Sequence, residues 1–156
     1  MSEILNIIIN PNPILRKKSE EIKIEDLNNQ DLQKLMQDMA PTMLEKDGVG
    51  LAAPQIGKNI RLIVINTKDG PQYFINPKII KKSILKEWGE EGCLSVPDVF
   101  GMVKRSKKVY CEYFDIKGEK KSIEALGLMA RILQHEIDHL DGILFIDKAK
   151  NLREEK

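Results

Sequence analysis

The segment His135-Glu136-Ile137-Asp138-His139 constrains this chain more than any other. It falls inside a stretch, Leu126 to Leu140, whose apolar residues Leu126, Met129, Leu133, Ile137 and Leu140 recur at helical spacing. Asp141-Gly142 supplies a stop. Residues four apart share a helix face, so the two imidazoles, the only two in the chain, can reach one ion. Glu136 then sits beside that ion, placed to manage protons on a water. A fold built on this segment must bury the apolar stripe and keep a polar site on the same helix. The alternative is a surface helix with two incidental histidines.

A catalytic metal commonly takes three protein ligands and leaves one position open. No third histidine follows His139, and the glutamates beyond it, Glu154 and Glu155, lie in a 148–156 tail that reads as frayed and solvated. Cys93 is the better candidate, in Glu91-Gly92-Cys93-Leu94-Ser95-Val96-Pro97. The glycine allows close backbone approach and Pro97 stiffens the exit. The competing reading of Cys93 is a small buried hydrophobe. Cys111, in the alternating run YCEYF, is read as plain core. Residues 48–57, GVGLAAPQIG, formally match the dinucleotide pattern G-x-G-x-x-A. That pattern must follow a strand and open a helix, whereas this loop follows a helical pattern, and it carries no G-K-[ST]. The functional residue in it is Gln55, whose amide can donate to a developing oxyanion.

The chain of 156 residues suits one domain, 1–156. Its formal net charge of +1 argues against a large nucleic-acid footprint. Two cysteines make no disulfide framework, which favours a reducing compartment. The N-terminal apolar run lacks a basic leader and no window reaches the length of a membrane span, so a cytoplasmic protein is expected. Residues 10–30 read as an irregular arm with a short helix. Apolar spacing predicts a helix over 31–46, capped by Asn28 or Asn29 and kinked or broken at Pro41. Strands are predicted over 61–66, 73–76, 83–88, 107–116 and 120–124, the last two joined by a Lys117-Gly118 turn. Strands in a run before a final helix indicate an α+β domain, largely antiparallel.

GVGLAAPQIG, EGCLSVP and QHEIDHLDG together resemble, in content and order, the three motifs of peptide deformylases. The resemblance extends to NPILRKKSEEI near the start, FINPKI at 74–79 and GLMARILQ before the histidines, and so covers most of the chain. It implies antiparallel sheets around the helix that carries HExxH. It implies Cys93, His135 and His139 as metal ligands, with Glu136 as acid/base. Gln55 and the backbone N–H of Leu94 would bind the formyl oxygen, and Gly50 would contact the substrate. Val49, Leu128 and Ile132 are the candidates for the methionine pocket. The implied substrates are N-formyl-methionyl ends of nascent chains, met at the ribosome, with formate released and no DNA or membrane involved. A thiolate with two imidazoles suits zinc on ligand type. The resemblance instead implies ferrous iron, with nickel or cobalt able to replace it. Phe100 stands where some members carry arginine or tyrosine near the substrate mouth. The rival readings are a zinc endopeptidase, a binding module without turnover and a dinucleotide-binding protein.

Overall fold

A computed structural model describes residues 2–155. Two short 3-10 turns, Pro13–Arg16 and Ile24–Asp26, interrupt the irregular N-terminal arm, which holds no α-helix. Helix α1 spans Gln30–Glu45. Asn29 caps it, its side chain accepting from the N–H groups of Asp31 at 2.8 Å and Leu32 at 3.2 Å. Pro41 removes one ladder donor yet does not break the helix.

Among the described residues eight strands follow: β1 Gly50–Ala52, β2 Leu62–Thr67, β3 Gly70–Lys82, β4 Lys86–Cys93, β5 Val96–Ser106, β6 Lys108–Phe114, β7 Lys120–Leu126 and, after the second helix, β8 Lys150–Glu154. All paired strands run antiparallel, in a five-stranded sheet ordered β1-β2-β3-β6-β7 and a three-stranded sheet ordered β4-β5-β8. Helix α2, Gly127–Leu140, carries His135 and His139. Gly127 has φ 58, the left-handed turn that takes the chain from β7 into the helix. This is the α+β architecture expected from the strand order.

The cores explain the layering. β2 alternates faces: Ile63 and Ile65 pack with Leu133, Ile137 and Leu140 of α2, while Leu62 and Val64 pack with Met39 and Met43 of α1. The five-stranded sheet is thus covered on both faces. The smaller sheet closes over a third cluster of Leu15, Val103, Leu144 and Phe145. Three sequence expectations need correction. β5 was not foreseen, because VPDVFGMVKRS shows no clean alternation. Leu126 is exposed at the end of β7 and is not part of the α2 core stripe. Residues 150–154 are not a frayed tail but a strand paired with β5.

Candidate metal centre

Three sequence-distant segments converge on one cleft of about 520 Å³. Helix α2 presents His135 and Glu136 to it. A hairpin joining β4 to β5 brings Cys93, with Cys93 and Val96 as register partners and Leu94-Ser95 as the two-residue turn. The stretch through β1 and the following 3-10 turn brings Val49, Gly50 and Gln55. Residues 48–53 therefore lead into a strand and a short 3-10 turn and do not open a helix, which removes the dinucleotide reading.

Cys93, His135 and His139 each offer a ligand atom, and these atoms all lie within 4.8 Å of one another. Sγ of Cys93 stands 3.3 Å from Nε2 of His139. Nδ1 of His135 is engaged by Glu91 Oε1 at 2.8 Å, which leaves its Nε2 for the thiol side. Burial holds His139 well below the ordinary imidazole value, so it is neutral, the form that ligates a metal. Burial opposes a charge on His135 as well, but hydrogen bonds with Cys93 and Glu91 outweigh it and raise the group to about 10. A soft thiolate and two imidazoles make a donor set that fits a divalent transition metal.

Glu136 is buried, and among the described residues its Oε1 has no hydrogen-bond partner. Burial pushes its carboxyl up to about 7, against the pull of His135 and Arg105 and with the push of Glu91. A proton-transfer group active near neutral pH needs such a value. Gly50 lies so close that a Cβ there would stand 2.6 Å from Oε2 of Glu136. Gln55 is 1% exposed. Its Oε1 accepts from the N–H of Ala52 at 2.9 Å, which aims Nε2 at Ser95 Oγ, 3.1 Å away, and at Cys93 Sγ, 3.5 Å away. Leu94 lines the cleft, as do Val49, Leu128 and Ile132. Val49 and Leu128 are 56% and 69% exposed, whereas Ile132 is 8% exposed, so any apolar pocket they form is open on one side.

Sequence reasoning gave no role to Glu91, Arg105 or Arg131. The buried Glu91 carboxylate takes a bidentate pair from Arg105 at 2.8 and 2.9 Å, a bond from Arg131 at 2.6 Å, and Nδ1 of His135. Burial alone would raise its pKa; the hydrogen bonds from Arg105 and His135 outweigh that and hold it well below the usual carboxylate range. Arg105 also reaches Asp138 at 2.7 Å, one residue before His139. The available signal was chemical: a ligating imidazole needs an acceptor for its other nitrogen, and Glu91 is the carboxylate in the cysteine's own motif.

A helix-borne pair of imidazoles, a thiol within reach of both and a buried carboxylate between them define a metal-dependent hydrolase. Residues 4–155 match the family model for polypeptide deformylase. A peptide deformylase of Rhizobium meliloti (strain 1021) is 45% identical over 152 residues, covering 94% of this chain and 86% of that protein. One from Syntrophomonas wolfei is 45% identical over 153 residues, covering 98% of each. The solved peptide deformylase of Thermotoga maritima superposes with TM-score 0.89 at 39% identity, covering 95% of this chain and 99% of that one. A Met-Ala-Ser-bound class I type b peptide deformylase of Acinetobacter baumannii superposes with TM-score 0.90 at 37% identity, with the same coverage. The chain belongs to the polypeptide deformylase family, and its activity is that of a metal-dependent peptide deformylase.

Proposed function

We propose that this chain, a single catalytic domain, hydrolyses the N-formyl amide of formyl-methionyl nascent peptides, acting in the cytoplasm as they leave the ribosome. The observation that carries the reading is the buried Glu136 carboxylate, unpartnered at Oε1 and one residue from a candidate ligand. Cys93, His135 and His139 would hold the metal; bound there, it supplies Lewis acidity that polarises the formyl carbonyl and acidifies water. Glu136 accepts the proton from the attacking water and delivers it to the departing amine. The Nε2 amide of Gln55 and the backbone N–H of Leu94 donate to the formyl oxygen as it gains charge. Gly50 keeps the backbone low enough for the substrate to reach Glu136. Val49, Leu128 and Ile132 receive the methionine side chain. The peptide backbone pairs with the edges at 48–50 and 89–92 as an added strand.

The Acinetobacter relative holds Met-Ala-Ser, the peptide that deformylation of formyl-Met-Ala-Ser would leave. Among the described residues no helix is long and apolar enough to cross a membrane. The family resemblance implies ferrous iron as the working ion, with zinc, nickel and cobalt accepted by the same donors. Anaerobic purification with metal analysis, followed by formate assay on formyl-Met-Ala-Ser, tests the reading. Formate should appear with iron near stoichiometry. Cleavage of an internal peptide bond in place of formate release would make the chain an endopeptidase.

A further inference from the structure

Two aliphatic side chains stand almost uncovered at the turn between β3 and β4: Ile84 is 96% exposed and Leu85 is 70% exposed. Hydrogen bonds hold this turn in place. Ser83 donates its N–H to the carbonyl of Lys108 at 2.9 Å. Its hydroxyl donates to the carbonyl of Leu85 at 2.8 Å and accepts from the N–H of Lys108 at 3.2 Å. Lys107 extends the tie: its N–H donates to the carbonyl of Leu85 at 3.1 Å, and its carbonyl accepts from the N–H of Gly127 at 2.9 Å. Leu126 and Leu128, 60% and 69% exposed, are thereby brought to the same end of the five-stranded sheet. Exposed apolar residues scattered singly carry no message, but several gathered at one end mark a contact surface.

The same end is basic. Residues 78–86, KIIKKSILK, hold four lysines and no acid. Lys81, Lys82, Lys86 and Lys107 are exposed. Of these and Lys108, only Lys108 is ion-paired among the described residues, to Glu124 at 3.2 Å. Glu87, directly after Lys86, offsets one of the charges. A second copy docked here about a two-fold axis would set the same lysines against one another. Single-stranded nucleic acid needs aromatic faces on which bases stack. The rings nearest the turn already carry ammonium groups: Tyr110 has Nζ of Lys81 and of Lys108 at 5.9 and 5.3 Å from its centre, and Trp88 has Nζ of Lys150 at 5.3 Å. A projecting aliphatic turn among free lysines instead matches an anionic lipid surface. There the apolar side chains enter the acyl boundary and the ammonium groups meet headgroup phosphates.

We propose that the β3–β4 turn, with Ile84 and Leu85 at its tip and Lys81, Lys82, Lys86 and Lys107 around it, docks this protein peripherally on anionic phospholipid. This goes beyond the family resemblance, which implied no membrane partner, and it does not depend on the reaction assigned above. Leu128 also lines the cleft, so a docked molecule would hold its cleft mouth near the lipid surface. The full metal-loaded chain is sedimented with vesicles of phosphatidylglycerol and phosphatidylcholine in equal parts, and with vesicles of phosphatidylcholine alone. It should bind the first and not the second, and high salt should weaken the binding. Ile84→Ser with Leu85→Ser should lower partitioning roughly tenfold or more, as two aliphatic side chains no longer leave water. Lys82→Gln and Lys86→Gln should each lower it roughly fivefold. Tm and formate release without vesicles should stay at the parent values in all of these variants. Parent sedimentation that is absent, equal on neutral vesicles, or undiminished in the serine variant would overturn the inference. So would binding to poly(U) without binding to vesicles, or a dimer in solution that the serine variant abolishes. Formate release by the parent alongside any of these results leaves the deformylase reading standing.

Discussion

Oε1 of Glu91 stands 2.8 Å from Nδ1 of His135, 44 residues along the chain. The other oxygen of the same carboxylate takes Arg105 and Arg131 at 2.8 and 2.6 Å. One buried acid thus orients a candidate ligand and pairs with two guanidinium groups. Outer partners of this kind typically carry 10–100-fold in metal affinity. Glu91→Gln should lower metal affinity on about that scale, read as metal retained after timed dialysis against a chelator. Glu91→Ala takes the bidentate partner from Arg105, which is 3% exposed and keeps only Asp138, and should cost about 3–5 kcal/mol in denaturant unfolding. Parent metal retention in Glu91→Gln would show that His135 does not depend on this acceptor.

Gly50→Ala should separate catalysis from binding of the ion. The added methyl would fall 2.6 Å from Oε2 of Glu136, so the carboxylate must move. Misplacing a catalytic group by about 1 Å can cost on the order of 10²-fold in rate. Formate release should fall on that scale, with metal content and Tm near the parent. A parent rate would mean that the position of Glu136 is not critical.

The two cysteines should behave differently. Cys93→Ala should lose metal and activity together. Cys111 is fully buried, and burial pushes its thiol up to about 11, so it is a core side chain and not a ligand. Cys111→Ala should keep metal and activity and lose only about 1 kcal/mol of stability. Metal analysis beside formate assay on both variants decides it.

How far the site could be read in the sequence depended on the range of the physics involved. The pair His135 and His139 is a local pattern, because helical spacing alone puts both on one face. Asn29 as a helix cap is local in the same way. The β4–β5 hairpin was not legible: its turn, Leu94-Ser95, carries none of the glycine or asparagine residues that announce tight hairpins. Nor was β8, whose exposed residues are held by Gly101, Phe100 and Trp88 and show no apolar alternation of their own. Glu91 was visible as a residue but not as a hub, since its partners Arg105, Arg131 and His135 come from β5 and α2.

Stability should also carry an acid-sensitive contribution from Asp38, which is 3% exposed. Burial alone would raise its pKa, but the N–H of Glu3 at 2.8 Å and Nζ of Lys34 at 3.1 Å hold it below its ordinary 3.8. A carboxyl depressed in the folded state stabilises fully above its unfolded pKa and loses that contribution as pH falls through the folded one. The parent should therefore lose Tm more steeply than Asp38→Asn below about pH 4. Parallel Tm curves from pH 5 downward would contradict the assignment.

The central claim is that Glu136 moves the proton and does not hold the metal. Glu136→Gln keeps the shape and removes the proton acceptor. The decisive measurement is metal content beside single-turnover formate release from a formyl-Met peptide. Near-stoichiometric metal with release slowed by roughly 10²–10⁴-fold is the expected result. An emptied site would make Glu136 a ligand, and release at the parent rate would remove it from the proton transfer; either result contradicts the account.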